Sequence, residues 1–513
     1  SRGLGDVYKR QVRANVKRQA LYCDMLGSAR WVGELAQRYP AREITPLTPW
    51  FANISIHDVE ITGCSTLVDV SALPEKPVKN FFFGNVKAHC DRIGKICDAT
   101  KFSMKDVRIE SCDTVMRIDN CDYASFFGFS NVTTGSSVKI EKTGGECRYL
   151  NVQTYPLVPV NYQSIRPGEV WLDTEGKPIQ AHGFQVTFRE GKYYWYGEDK
   201  THTLFGTNRM FGGVRCYSST DFYNWKDEGR IIEPATDPHS PLHHCQKLER
   251  PHILYCAKTG RYVCWLKSQS NDGHFVILEA EHFMGPYHFV RNLKPNGFAV
   301  GDFDMYADPD TGKGYVWFER PHWEQICAEL SDDYTNVNGR YSEHFVGKVP
   351  PFTREAAAHF VMDGKHYIYT SGTTSYTPNP SEVAVFDDYH GEYTVLGNPH
   401  IGDEYAHSFC SQITSVIKIP GKDLYVAMAD RWLPHTNKTD IPKKDWQSFL
   451  TRYKDHRPYP KDFATPKVAD RFYTLVNPNQ DVYKATYVFL PIVVKDGIPM
   501  IEWKDEWKLE NYE

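Results

Sequence analysis

In the second two-thirds of the chain, apolar and aromatic residues arrive in short runs, and five of those runs open alike. A turn glycine and a basic residue lead into each at Gly191-Lys192-Tyr193-Tyr194, Gly260-Arg261-Tyr262, Gly312-Lys313-Gly314-Tyr315, Gly364-Lys365-His366-Tyr367 and Gly421-Lys422-Asp423-Leu424-Tyr425. The runs read YYWYGE, YVCWLK, YVWFER, YIYTSG and YVAMADRW. Glycine supplies the positive φ of a tight hairpin, and bulky residues at successive positions suit a strand buried on both faces. The glycines stand 69, 52, 52 and 57 residues apart. An all-strand repeat of roughly 40–50 residues is the spacing of a propeller blade, so the pattern predicts five blades around a central channel.

Residues 12–160 carry a different and shorter period. Strand-like runs pass through Asp58-Val59, Asn85-Val86, Asp106-Val107 and Asn131-Val132, which lie 27, 21 and 25 residues apart. One short strand per 20-odd residues predicts the coils of a parallel β-helix, whose stacked strands bury a continuous core. The polar residue before each valine fits a coil corner, where a short side chain bonds to a turning backbone. A β-sandwich of similar strand spacing is the alternative. The fold class expected is therefore all-β: a truncated right-handed parallel β-helix over 12–160 and a five-bladed β-propeller over 161–513.

Composition narrows the function classes. A chain of 513 residues exceeds one core, given roughly 100–200 residues per domain. Aromatic residues make up 14%, with 32 Tyr and 12 Trp, which favours strands and flat faces that stack on sugar rings. A net charge of −5 gives no footprint for nucleic acid. The longest apolar run, YVFLPIVV, is far short of the roughly 20 residues needed to span a bilayer and reads as a strand. Thirteen cysteines without a CxxC pair indicate neither a zinc site nor a dense disulfide framework. The seven that precede residue 150 read as small buried core residues. Residues 1–11, SRGLGDVYKRQ, resemble a translated sequencing-library adapter and are set apart from the fold, so localisation is argued from the substrate.

Two family resemblances follow from longer motifs. RYPAREITPLTPWFANISIHDVEITGC followed by SALPEKPVKNFFFGNVKA resembles the last coils of a pectinase β-helix, glycoside hydrolase family 28. That family's catalytic aspartates and its Gly-His-Gly and Arg-x-Lys motifs lie upstream of such coils, and 12–160 holds no match. The resemblance implies coils without a pectinase active site. From about residue 161 the chain resembles glycoside hydrolase family 43, the five-bladed propeller hydrolases. The resemblance rests on the order of AHGFQVTFREGKYYWYGED, YSSTDFYNWKDEG, LERPHILY, GDFDMYADPDTGKGYVWFER, TREAAAHF, TSGTTSYTPNPSEVAV and SFCSQITSV…AMADRW. KDGIPMIEWKDEWKL would complete the last blade.

Glycoside hydrolysis needs a carboxylic acid to protonate the leaving oxygen, and an inverting enzyme also needs a base to activate water on the opposite face. Glu355, in Arg354-Glu355-Ala356-Ala357, matches the family's acid, with Ala357 where the family has proline. The alternative is a surface glutamate that is solvated or paired with Arg354. Asp302 matches the aspartate that raises the acid's pKa, and Asp304, two residues on, competes for that role. Asp308-Pro309-Asp310-Thr311-Gly312 faintly resembles a calcium loop and reads as hairpin turn chemistry.

Most family members place a base aspartate where this chain has Ala181-His182-Gly183. A subset resembling exo-acting β-1,3-galactanases shares that absence, and there a Ser-Gln glutamine is assigned the water-activating role. Gln412 matches it, although a neutral amide is a poor proton acceptor. Glu198, Glu249, Arg250, Trp195, His182, Arg431 and Trp432 are the candidate sugar contacts, through charge-assisted hydrogen bonds or stacking. Each has a structural alternative, an ion pair between blades or a core aromatic. His182 could instead line the channel and hold water or a cation.

The resemblance implies an exo-acting, inverting glycosidase of pectin side chains or arabinogalactan, secreted or periplasmic. It needs no cofactor, and a structural cation in the channel is allowed. α-L-Arabinofuranose leads as the terminal sugar and β-D-galactose follows. A catalytically silent glycan-binding propeller, or a pectin-degrading fusion whose pectinase site lies elsewhere, are the alternatives.

Overall fold

The computed structural model describes residues 12–148, 150–154, 160–201, 203, 210–269, 273–348, 352–432 and 482–513. Residues 1–11 lie outside them. Two compact units emerge, one covering residues to Val160 with Glu175–Lys177, the other Asn161–Thr174 with Pro178–Glu513.

The first unit is a β-solenoid of about four turns. Its long strand runs, Ala52–Ser71 and Val78–Glu110, bend through several corners and stack in parallel. Ile54 lies beside Phe81, Val59 beside Val86, and Ile96 beside Ile118, so like sits on like from coil to coil. The inward residues Leu67, Val70, Ile93, Ile96, Phe102 and Met104 form one continuous buried column. Phe81 and Phe102 stack at 4.9 Å between ring centroids. Corners at Asp58, Asn85 and Asp106 take φ of 57°, 47° and 53°, the left-handed region that Asp and Asn tolerate. Asn131 differs. It is buried, and its amide donates to the carbonyls of Ser111 and Asp113 at 2.9 Å each. Cys23, Cys64, Cys90 and Cys121 are buried, while Cys112 is exposed.

After residue 160 the described strands form five antiparallel sheets. The innermost strands are His182–Arg189, Leu248–Cys256, Phe303–Ala307, Arg354–Met362 and Gln412–Lys418. Each touches the next, and the last touches the first, which closes a ring of five blades. The second strands are Lys192–Glu198, Arg261–Ser268, Gly314–Glu319, Lys365–Gly372 and Tyr425–Arg431. The hairpin glycines that join each pair have φ of 78°, 68°, 69°, 74° and 75°, as a tight turn requires. Thr486–Lys495 and Ile498–Glu502 finish the fifth blade, and His400–Ile401 adds a parallel edge.

The seam between the fifth and first blades is held in two ways. Ile165 and Trp507 exchange backbone hydrogen bonds of 2.8 and 3.0 Å. Beneath them Trp171, Phe184, Trp195, Tyr487, Phe489 and Trp507 form one aromatic core.

Candidate active site

Antiparallel pairing places the start of each inner strand beside the end of its second strand, at one end of the ring. The register pairs there are His182 with Glu198, Glu249 with Lys267, Glu355 with Ser371, and Gln412 with Asp430. In the third blade the Glu319 amide donates to the Asp302 carbonyl at 2.9 Å. Five chemically loaded pairs thus converge on one mouth. In the first, second and fourth blades the ladder slips just after the site residue, with positive φ at Gly183, Arg250 and Ala356. Such bulges re-aim a side chain, here out of the sheet and into the mouth.

A cavity of about 90 Å³ opens between these ends, lined by Glu198, Glu249, Arg250, Asp302, Glu355, Gln412 and Trp432, among others. Glu355 sits at its wall. The neighbouring Arg354 turns away to Thr370 and the Pro380 carbonyl, so it does not neutralise Glu355. Burial pushes the Glu355 carboxyl well above the ordinary range, Glu319 and Asp302 add to the rise, and Lys267 and Arg250 oppose it. Such a carboxyl holds its proton where an exposed one would lose it.

The other acids are set differently. Burial pushes Asp302 upward, but Arg250 and Lys267 outweigh it, and its carboxyl falls below the ordinary range. The contacts are short: Arg250 Nε to Asp302 Oδ2 at 2.8 Å and Lys267 Nζ to Oδ1 at 2.6 Å. Glu249 is likewise lowered against its burial, chiefly by Lys267 and Lys247. Lys267 reaches it at 2.7 Å and the Tyr376 hydroxyl donates at 3.3 Å. Burial raises Glu198 and its partner Lys200 opposes the rise; the Arg250 amide donates to Glu198 Oε1 at 3.0 Å.

Asp302 lines the cavity, and Asp304 does not. Asp304 accepts from the His359 amide at 2.6 Å and faces His252 Nε2 at 2.9 Å, which ties three inner strands together away from the cavity. Gln185 completes that network in the channel. Asp308 accepts from the amides of Asp310 and Thr311, as a turn residue does.

Three expected sugar contacts do not reach the cavity. Trp195 is fully buried in the seam core, its indole donating to the Ala181 carbonyl at 3.2 Å, because it sits mid-strand between packed blades. His182 is buried, with Nδ1 2.9 Å from Asp430 and its ring stacked on Tyr487, so it joins the first blade to the fifth. Arg431 donates to the Phe409 carbonyl and lies over Trp503, one residue past the register pair and on the other side of its strand. Trp432 does line the cavity and packs edge-on against Tyr376 at 5.2 Å.

Lys267, Glu319, Ser371 and Tyr376 were not singled out from sequence. A signal existed for three of them. Glu198, Lys267, Glu319 and Ser371 each lie seven residues after a hairpin glycine, at 191, 260, 312 and 364. Glu319 stands behind Asp302, and a methyl on Gly301 would come within 2.1 Å of Glu319 Oε2, so glycine there permits the approach. Burial raises the Glu319 carboxyl to about 7. Among the described residues, the one cluster of three metal-ligand types is His243, His244 and Cys245, on the link between the first two blades.

Residues 184–416 match the family model described as Glycosyl hydrolases family 43. No curated protein sequence matches the chain significantly. A solved family 43 β-1,3-galactosidase is 27% identical with a TM-score of 0.55, over 69% of this chain and 65% of that one. A second, solved with galactodeoxynojirimycin, is 27% identical with a TM-score of 0.55, over 67% of this chain and all of that one. An exo-β-1,3-galactanase from Clostridium thermocellum is 25% identical with a TM-score of 0.51, over 67% and 66%. This chain thus spans just under two thirds of the first relative's length. The matched residues run from the first blade into the inner strand of the fifth, so the propeller is similar in sequence and fold to glycosyl hydrolases family 43.

Proposed function

We propose that the protein is an exo-acting, inverting glycoside hydrolase that removes terminal β-D-galactose from β-1,3-linked galactan chains. The observation that carries the reading is Glu355: a carboxyl kept protonated by burial and by two acidic neighbours, at the wall of a small cavity at one end of the ring. A cavity of about 90 Å³ admits on the order of six waters, room of the order one sugar ring needs. The sequence motifs favoured arabinofuranose. The similarity to two β-1,3-galactosidases and an exo-β-1,3-galactanase moves the preference to galactose. Plant arabinogalactan is the proposed source of the substrate, and action outside the cytoplasm follows from a polymer of that kind.

Glu355 gives its proton to the glycosidic oxygen as the bond to the anomeric carbon breaks, and water attacks from the opposite face. Asp302 and Glu319 hold that proton in place by like-charge repulsion. Hydrolysis is therefore expected to fall as pH rises through the raised Glu355 value. Glu319→Gln removes one like charge, so the alkaline limb of kcat/KM should move to lower pH; an unchanged limb would separate Glu319 from the acid. The same variant should alter stability. A carboxyl raised to about 7 stabilises the fold fully below its ordinary 4.5, and that contribution is lost as pH rises through 7. Glu319→Gln should flatten this slope in urea titrations.

A panel of aryl glycosides tests the sugar. Cleavage of the β-galactoside is expected, and cleavage of the α-L-arabinofuranoside alone would overturn the assignment.

A further inference from the structure

The Gln412 amide has no hydrogen-bonding capacity left over, and the identity of its partners fixes which way round it stands. Oε1 accepts from Arg250 Nη2 at 3.1 Å and from the Trp432 indole at 3.0 Å. Nε2 donates to the Ser371 hydroxyl at 2.9 Å and to Glu355 Oε1 at 3.3 Å. An amide has two acceptor lone pairs and two donor hydrogens, and all four are engaged. Guanidinium and indole can only donate, so turning the amide over would set donor against donor on that side.

The same partners bear on the tautomer. To take a proton from water, the side chain would have to become an imidic acid, with a hydroxyl at Oε1 and a basic nitrogen. That hydroxyl would face two obligate donors, one of them the cationic Arg250. The pocket therefore favours the ordinary amide, which is a very weak base.

We propose that Gln412 is a positioning residue for the acid and not the group that deprotonates water. Its Nε2 hydrogen faces Glu355 Oε1, so that oxygen must accept, and the acidic proton is left on Oε2. Protonation then has one defined donor atom. Glu355 Oε2 releases its proton to the glycosidic oxygen, the electrons of the broken bond leave with that oxygen, and the anomeric carbon bonds to water. The water's proton passes to a carboxylate. Of the lining carboxylates not invoked in holding the acid, Glu198 is raised by burial and is the stronger base, whereas Lys267 and Lys247 hold Glu249 low.

The test rests on the β-galactoside reading and compares leaving groups. Gln412→Ala is assayed on β-1,3-galactobiose, which needs an acid, and on 2,4-dinitrophenyl β-D-galactoside, which does not. A positioning role predicts about 10²-fold loss on the disaccharide and less than about 5-fold on the aryl glycoside, with azide giving no acceleration. Equal losses on both, with azide restoring the rate and yielding α-galactosyl azide, would overturn it. Gln412→Glu keeps both acceptor contacts, and it carries the comparison if the alanine variant does not fold. It places a true carboxylate at this point, yet it should fall below the wild type on the disaccharide and shift the alkaline limb to higher pH; a faster enzyme would overturn the proposal. Wild-type inactivity on both galactosides would refute the sugar instead, and the same comparison on arabinofuranosides would then read the role of Gln412.

Discussion

Glu355→Gln is expected to lower turnover of β-1,3-galactobiose by about 10²–10⁴-fold, the scale of a lost acid catalyst. The substitution keeps the shape and leaves an oxygen for Gln412 to donate to, so the geometry of the wall should survive. What disappears is the proton that burial and the two neighbouring acids hold in place. A substrate with a dinitrophenolate leaving group needs little protonation and should lose far less. Equal losses on both substrates would mean that Glu355 binds sugar rather than donating a proton.

Trp195→Ala is expected to cost about 3–5 kcal/mol of stability, the usual range for truncating a buried tryptophan. Its ring lies 5.2 Å from Trp225, 4.5 Å from Tyr487 and 4.9 Å from Phe489, between the first and fifth blades. The cavity left there opens the seam on which ring closure depends, and urea unfolding should show the loss directly. The folded fraction should keep the wild-type KM, because Trp195 is not a cavity residue. A raised KM with an unchanged urea midpoint would restore it to the sugar site.

These two tryptophan and glutamate positions mark where the sequence could and could not be read. Blade number and hairpins were legible because each depends on local chemistry: a left-handed glycine followed by a strand buried on both faces. Coil corners were legible for the same reason at Asp58, Asn85 and Asp106. Side-chain destination was not, because both faces of a blade are buried and period-two alternation carries no inside and outside. Depth along the strand decides instead. Trp195 is three residues short of the mouth and packs in the seam, whereas Glu198 reaches the cavity. His182 lies at the mouth, but Asp430 of the fifth blade holds it, a contact across 248 residues that no local pattern announces. Lys267 and Glu319 were visible only by aligning the hairpins on one another, since each is unremarkable within its own strand.

The most direct test follows galactose release from β-1,3-galactotriose by proton NMR as the reaction starts. Single galactose units should leave from one end, with the α anomer appearing first because water attacks opposite the departing β-linked chain. Initial β-galactose, or no galactose from an enzyme that cleaves arabinofuranosides, would contradict it.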